Sequence, residues 1–75
     1  MNKVIFERPS PHHPVWLIYS AGRRVGKIRQ YGRHGYLARC EGYDIGGGGS
    51  RKFLRHFPTL AAAKAALRTA LARHR

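Results

Sequence analysis

Residues 15–41, VWLIYSAGRRVGKIRQYGRHGYLARCE, decide the fold of this chain. They begin with residues 15–19, a run of aromatic and β-branched side chains that favours a strand. Residues 20–23 follow as a turn. Residues 25–29 form a second strand, and we expect the two strands to pair as a hairpin.

The stretch continues with a turn over residues 32–35 and a third strand over residues 36–41. Residues 51–57 are suited to a fourth strand that returns along the third. Gly26 lies inside the second strand, where a glycine indicates that another backbone element packs closely.

A helix closes the chain. Thr59 is a good N-cap, and residues 60–73 are strong helix formers in which alanine dominates. One stripe at helical spacing contains Leu60, Ala63, Leu67, Ala70 and Leu71. We therefore predict an α+β fold: a three-stranded or four-stranded antiparallel sheet with one C-terminal helix packed on one face. The other face of the sheet is then open.

The length of 75 residues fits one domain, over residues 15–75, preceded by an extended arm over residues 1–14. Three prolines keep the arm from forming a helix, although residues 4–6 suit a short edge strand. Residues 46–50, GGGGS, predict a flexible loop and resemble the repeat unit of an engineered linker. A natural glycine-rich loop has the same composition, so both origins stay open.

The charge balance indicates the class of partner. Lys and Arg number 15 against 3 Asp and Glu, a formal charge of +12. Nucleic acid relieves such self-repulsion, because displaced phosphate counterions supply free energy. An acidic protein surface or an anionic membrane offers the same electrostatics. A genome that favours arginine explains the ratio of Arg to Lys but leaves the shortage of acids unexplained.

Two clusters are candidate nucleic-acid-binding sites. The first spans residues 23–39 and interleaves cations with Tyr31, His34 and Tyr36; the second spans residues 51–56. The candidate residues are Arg23, Arg24, Lys27, Arg29, Tyr31, Arg33, Arg39, Arg51, Lys52 and Arg55. Cations contact phosphates, and the tyrosines can stack on single-stranded bases if they face outwards. A solvated sheet face or a charged edge strand is the alternative interpretation.

Other chemistries have little support. Cys40 is the single cysteine, the histidines lack metal-ligand spacing, and the three acidic residues form no catalytic pattern. We therefore expect no enzyme activity, metal, cofactor or small-molecule substrate. No segment is long and apolar enough for a membrane span, so we expect a cytoplasmic protein without a membrane partner.

A group of motifs gives this chain a resemblance to known domains. They are Trp16, Gly22, Gly26–Lys27–Ile28, Tyr36–Leu37–Ala38, and Phe57–Pro58–Thr59 leading into Ala63, Ala66 and Leu67. Over residues 15–73 this pattern resembles small phage and prophage β-β-β-α domains, including the N-terminal arm-binding domains of tyrosine integrases and the DNA-binding domains of plant ethylene-response factors. In those families the exposed sheet face enters the DNA major groove, and the helix supports it from behind.

The resemblance implies that the readers of DNA here are Arg23, Arg24, Lys27, Arg29 and Arg39. With no recombinase catalytic domain present, it implies a stand-alone DNA-binding module from a phage or other mobile element. Duplex DNA is then the expected ligand, ahead of RNA. The alternative is a protein-interaction module, an inhibitor or adaptor that docks on an acidic or nucleic-acid-binding partner.

Overall fold

A computed structural model describes residues 3–33, 35–47 and 51–73. It contains one antiparallel sheet and one C-terminal helix, as expected for an α+β fold. The elements are β1 (Val4–Glu7), β2 (Val15–Ser20), β3 (Arg23–Gln30), β4 (Tyr36–Cys40), β5 (Leu54–Phe57) and α1 (Leu60–Arg73). The predicted strand count of three or four was wrong, because the sheet has five strands.

The strands form a meander in the order β1-β2-β3-β4-β5, and every neighbouring pair is antiparallel. The additional strand is β1, which pairs with β2 from within the segment that we expected to be an arm. The weakly indicated edge strand at residues 4–6 is therefore part of the sheet. The predicted fourth strand is β5, which begins at Leu54, three residues later than expected.

A two-residue turn joins β2 and β3. Ala21 and Gly22 both have positive φ, 54° and 79°, the combination found in a type I′ turn. This turn matches the twist of the two strands. Glycine adopts the conformation without strain, whereas alanine has a Cβ that crowds the neighbouring backbone. The hairpin therefore closes tightly with strain at Ala21.

A bulge interrupts the pairing of β2 with β3. Ile18 pairs with Gly26, but the next residue, Tyr19, pairs with Arg24, so Val25 is the additional residue. Val25 packs against the core. Gly26 lies so close to β4 that a Cβ would stand 2.0 Å from the carbonyl oxygen of Arg39. The prediction that another backbone element packs closely at Gly26 is confirmed.

Helix α1 covers one face of the sheet. Its N-terminus is capped by Thr59, whose Oγ1 accepts a hydrogen bond from the amide of Ala62 at 3.1 Å. The predicted stripe supplies the buried residues Ala63, Leu67, Ala70 and Leu71, and Leu60 is half-buried. They pack against sheet side chains that include Ile18, Ile28, Ala38, Cys40 and Phe57. Two alanines in the stripe let the helix axis approach the sheet closely.

The loop between β4 and β5 contains glycines with defined structural roles. Gly46 has a φ of 90°, and a Cβ on Gly47 would stand 2.0 Å from the carbonyl oxygen of Leu54. At both positions a larger residue is strained or excluded. The rest of the glycine-rich segment, residues 48–50, lies outside the described residues.

The turn strain predicts a stabilising substitution. Ala21→Asn should raise the free energy of unfolding by about 0.5–1 kcal/mol, because asparagine tolerates the left-handed conformation better than alanine. The same change at exposed Ala65 in α1 should lower it by roughly 0.6 kcal/mol through lost helix propensity. Urea unfolding of both variants measures the change in unfolding free energy that each substitution causes. A destabilised Ala21→Asn protein would contradict the assigned turn.

Burial also predicts a pH dependence of stability. Desolvation raises the pKa of the Cys40 thiol from 9.0 to about 11. Between these two values the unfolded chain ionises and the folded chain stays protonated, so folding loses stability as pH rises through this window.

Relative to Cys40→Ala, the native chain should therefore lose on the order of 2 kcal/mol of unfolding free energy between pH 9 and pH 11. Chemical denaturation of both proteins across that range gives the difference, in which the other titrating groups cancel. A constant difference would show that the thiol is solvated.

Candidate nucleic-acid interface

Four basic side chains share the face of the sheet that α1 leaves uncovered. Residues alternate between the faces of a strand, and buried Ile28, Ala38 and Cys40 mark the helix side. The opposite side of β3 and β4 therefore carries Arg24, Lys27, Arg29 and Arg39, and all four are exposed. We call these four residues the basic strip.

The bulge at Val25 determines the composition of the basic strip. Arg24 and Lys27 are three positions apart, so strict alternation would put them on opposite faces. The additional residue reverses the alternation, and Arg24 pairs with Tyr19 while Lys27 pairs with Leu17. Both partners are on the open face of β2, so the bulge brings Arg24 to the same face as Lys27.

Like charges meet directly at the centre of the basic strip. Lys27 on β3 is the cross-strand partner of Arg39 on β4. Directly opposed Cβ atoms in an antiparallel pair are about 5 Å apart, and like charges in such a pair are destabilising. Arg29, two residues after Lys27 on β3, is the next residue on the same face and adds a third cation beside this pair. The fold therefore concentrates positive charge that an anion would relieve.

One carboxylate compensates part of this charge. Glu41 Oε1 accepts a hydrogen bond from Arg39 Nη2 at 2.6 Å. Within the described part of the chain, this contact is the ion pair found between a basic and an acidic side chain. The Arg39 side chain is 49% exposed and that of Glu41 is 71% exposed, so solvent screens the pair. The basic strip therefore keeps a strong net positive charge.

The residues around this ion pair form a shallow recess. Its volume is about 270 Å³, and it is lined by Arg24, Val25, Gly26, Lys27, Arg39 and Glu41. The bulge residue Val25 and its neighbour Gly26 lie between Arg24 and Lys27 along β3.

Apolar side chains flank the basic strip on the open face. Leu17 is the cross-strand partner of Lys27, and Leu37 is that of Arg29; both leucines are half-buried. They give the long basic side chains an apolar surface along which their stems can lie. Tyr31 follows β3 and is 44% exposed, with the Arg29 guanidinium 5.3 Å from its ring centroid.

The remaining predicted site residues lie elsewhere. Arg23 is the cross-strand partner of buried Ser20, so this position is on the helix side of the sheet. Arg33 is in the β3–β4 turn. Arg51 and Lys52 precede β5. Arg55 is on the helix side of β5, where its guanidinium stands 4.8 Å from the ring centroid of Phe57. His34 lies outside the described residues.

Two polar residues on the open face were not assigned to it from the sequence, although residue 56 belongs to the predicted cluster at residues 51–56. Glu41 is one of the three acidic residues that form no catalytic pattern, and its spacing of two residues from Arg39 indicates a shared face. His56 on β5 is the cross-strand partner of Leu37, so its exposed side chain extends the open face towards the sheet edge. The same period-two argument would have placed it there once β5 was known.

A second recess lies between α1 and the β4–β5 loop. Its volume is about 600 Å³, and its lining includes small helix residues together with Asp44, Arg55 and Arg73. The Asp44 carboxylate already accepts a hydrogen bond from the Gly46 amide at 3.0 Å, and Arg55 donates weakly to the carbonyl of Ile45. The first contact lies within the β4–β5 loop and the second joins the loop to β5, so these polar groups serve the conformation of the loop.

Metal-ion sites and membrane-spanning helices are both absent from the described residues. Across residues 3–33, 35–47 and 51–73, no three His, Cys, Asp or Glu residues are grouped so that they could hold a metal ion. Within the same ranges, no helix has the length and apolar character needed to span a membrane.

Comparisons with protein-family models, with curated proteins and with solved structures find no match for this chain. The open sheet face and its basic strip are therefore the observations on which an assignment of function can rest.

Proposed function

We propose that this protein is a nucleic-acid-binding module that contacts the phosphates of duplex DNA through the basic strip. The observation that carries the proposal is the direct opposition of Lys27 and Arg39, flanked by Arg24 and Arg29 on the same face. A sheet face that only needed solubility would be served by mixed charges, which stabilise cross-strand pairs. A row of cations is the arrangement expected for a polyanionic ligand.

The width of the sheet favours phosphate contacts over insertion into a groove. Five strands at about 4.8 Å spacing span roughly 19 Å, whereas the major groove of B-DNA is about 12 Å wide. The docking implied by the three-stranded families therefore does not transfer unchanged. We infer that the face lies across the DNA backbone, where phosphate contacts position the protein without reading base edges.

The distribution of aromatic residues favours duplex over single-stranded ligands. Stacking platforms for single strands present aromatic rings across the binding face. Here Tyr19 is half-buried on the open face, and Tyr31 lies at the end of β3 against Arg29. The centre of the face carries Lys27 and Arg39, which are better suited to phosphates.

A second candidate function is docking on an acidic or nucleic-acid-binding protein. The observation in its favour is the apolar content of the open face, which includes Leu17, Leu37 and Leu54, together with Ile5 at 46% exposure on the edge strand. This function predicts a stable complex from nuclease-treated lysate and poor affinity for free DNA.

Charge-matched variants test the proposed interface. Lys27→Gln with Arg29→Gln should weaken binding to a short duplex at least tenfold at 50 mM salt, because two phosphate contacts are lost. Lys64→Gln with Arg68→Gln removes the same charges from α1, on the opposite side of the sheet, and should weaken binding less than about threefold. Fluorescence anisotropy measures both affinities.

The salt dependence and a sequence comparison complete this test. The slope of log K against log salt should decrease in magnitude by about 1.8 in the β3 variant, at about 0.9 per phosphate contact. A second duplex of scrambled sequence should bind within about threefold of the first. Equal losses in the two charge variants would reject the basic strip as the interface, and strong preference for one duplex would reject the docking across the backbone.

A further inference from the structure

We propose that the recess beside Gly26 is a site for a single phosphate group and that Glu41 is a built-in competitor for it. The inference rests on the proposed function and names the position on the strip where one backbone phosphate binds. It also assigns to Glu41 the role of lowering the affinity for the polyanion.

The lining of the recess fits one tetrahedral anion. Arg24, Lys27 and Arg39 contribute cationic side chains, and Glu41 is the acidic member of the lining. The Glu41 carboxylate is hydrogen-bonded to Nη2 of Arg39. A carboxylate is itself an anion that accepts hydrogen bonds from a guanidinium, so its position resembles that of a bound phosphate oxygen.

The bulge brings together the cations that border this recess. It turns Arg24 to the open face, where Lys27 and Arg39 also lie. Three cations therefore border a recess of about 270 Å³, a volume that exceeds the roughly 30 Å³ share of one water several-fold. A phosphate group can enter once Glu41 moves away.

Glu41 is free to make that movement. Its side chain is 71% exposed and follows the last residue of β4, in a turn. An exposed ion pair of this kind contributes little to stability, so an incoming phosphate with two or more available oxygens can displace it. The energetic consequence is a reduced affinity, since the pair must break before Arg39 contacts the ligand.

Glu7 offers a matched control on the same face. It pairs with Leu17, which pairs with Lys27, which in turn pairs with Arg39. Three strand spacings of about 4.8 Å put Glu7 roughly 14 Å from Arg39, beyond the Debye length of about 8 Å at physiological ionic strength. Its removal changes the net charge equally without opening the recess.

The experiment compares Glu41→Gln with Glu7→Gln in the full chain. Glu41→Gln should tighten binding to a short DNA duplex on the order of fivefold in 150 mM salt, because Arg39 can then contact a phosphate without first breaking its ion pair. Glu7→Gln should change the affinity by less than about twofold. Equal effects of the two substitutions would overturn the role of Glu41.

A second readout uses pyrophosphate alone and needs no nucleic acid. The Nε–Hε signal of Arg39, assigned by its loss in Arg39→Lys, should shift saturably on titration, at several-fold lower pyrophosphate in Glu41→Gln than in the native chain. An Arg39 signal that does not respond in either protein would overturn the phosphate site.

The two readouts separate the failure of this inference from that of the proposed function. If duplex binding depends on Lys27 and Arg29 while Glu41→Gln behaves as Glu7→Gln, the interface stands and the competitor is rejected. If pyrophosphate shifts the Arg39 signal at lower concentration in Glu41→Gln than in the native chain, but duplex DNA does not bind, the anion site stands. DNA is then rejected as the source of the phosphate group.

Discussion

A single helix can cover only one face of a sheet, and the rest of this structure depends on that constraint. Helix α1 packs its stripe of Ala63, Leu67, Ala70 and Leu71 onto a core that includes Ile18 and Ile28. The hydrophobic contribution to folding is therefore concentrated on this side. The opposite face of a five-stranded sheet must remain compatible with water or with a partner. Its side chains are thus available for function, and the chain places cations at its centre.

The arrangement of those cations follows from one irregularity in the sheet. The bulge at Val25 sends this residue towards the core and turns Arg24 to the open face, where it joins Lys27 and Arg29. The pairing of β3 with β4 then sets Arg39 opposite Lys27. Repulsion within this group is only partly offset by the exposed pair of Arg39 with Glu41. The fold therefore concentrates electrostatic repulsion at one place, and binding of a polyanion would reduce this repulsion.

Strand, turn and helix signals predicted much of this arrangement from the sequence. The hairpin, the strand that carries Arg39, the Thr59 cap and the close approach at Gly26 are all present. The width of the sheet was predictable only in part: residues 4–6 suit an edge strand, but β1 is four residues long and is followed by prolines that suggest an arm. The face of Arg24 depends on a bulge, and the position of Arg55 depends on where β5 begins. Both are set by tertiary packing, which local patterns do not encode.

We propose above all that the ligand lies on the open face over β3 and β4. The most direct test is a nuclear magnetic resonance titration of the isotope-labelled chain with a short DNA duplex, in which backbone amide shifts and the side-chain signals of arginine and lysine are followed together. We expect the largest changes at Arg24, Lys27, Arg29 and Arg39, with α1 nearly unperturbed. Changes centred on α1, or spread evenly over all basic residues, would contradict the claim.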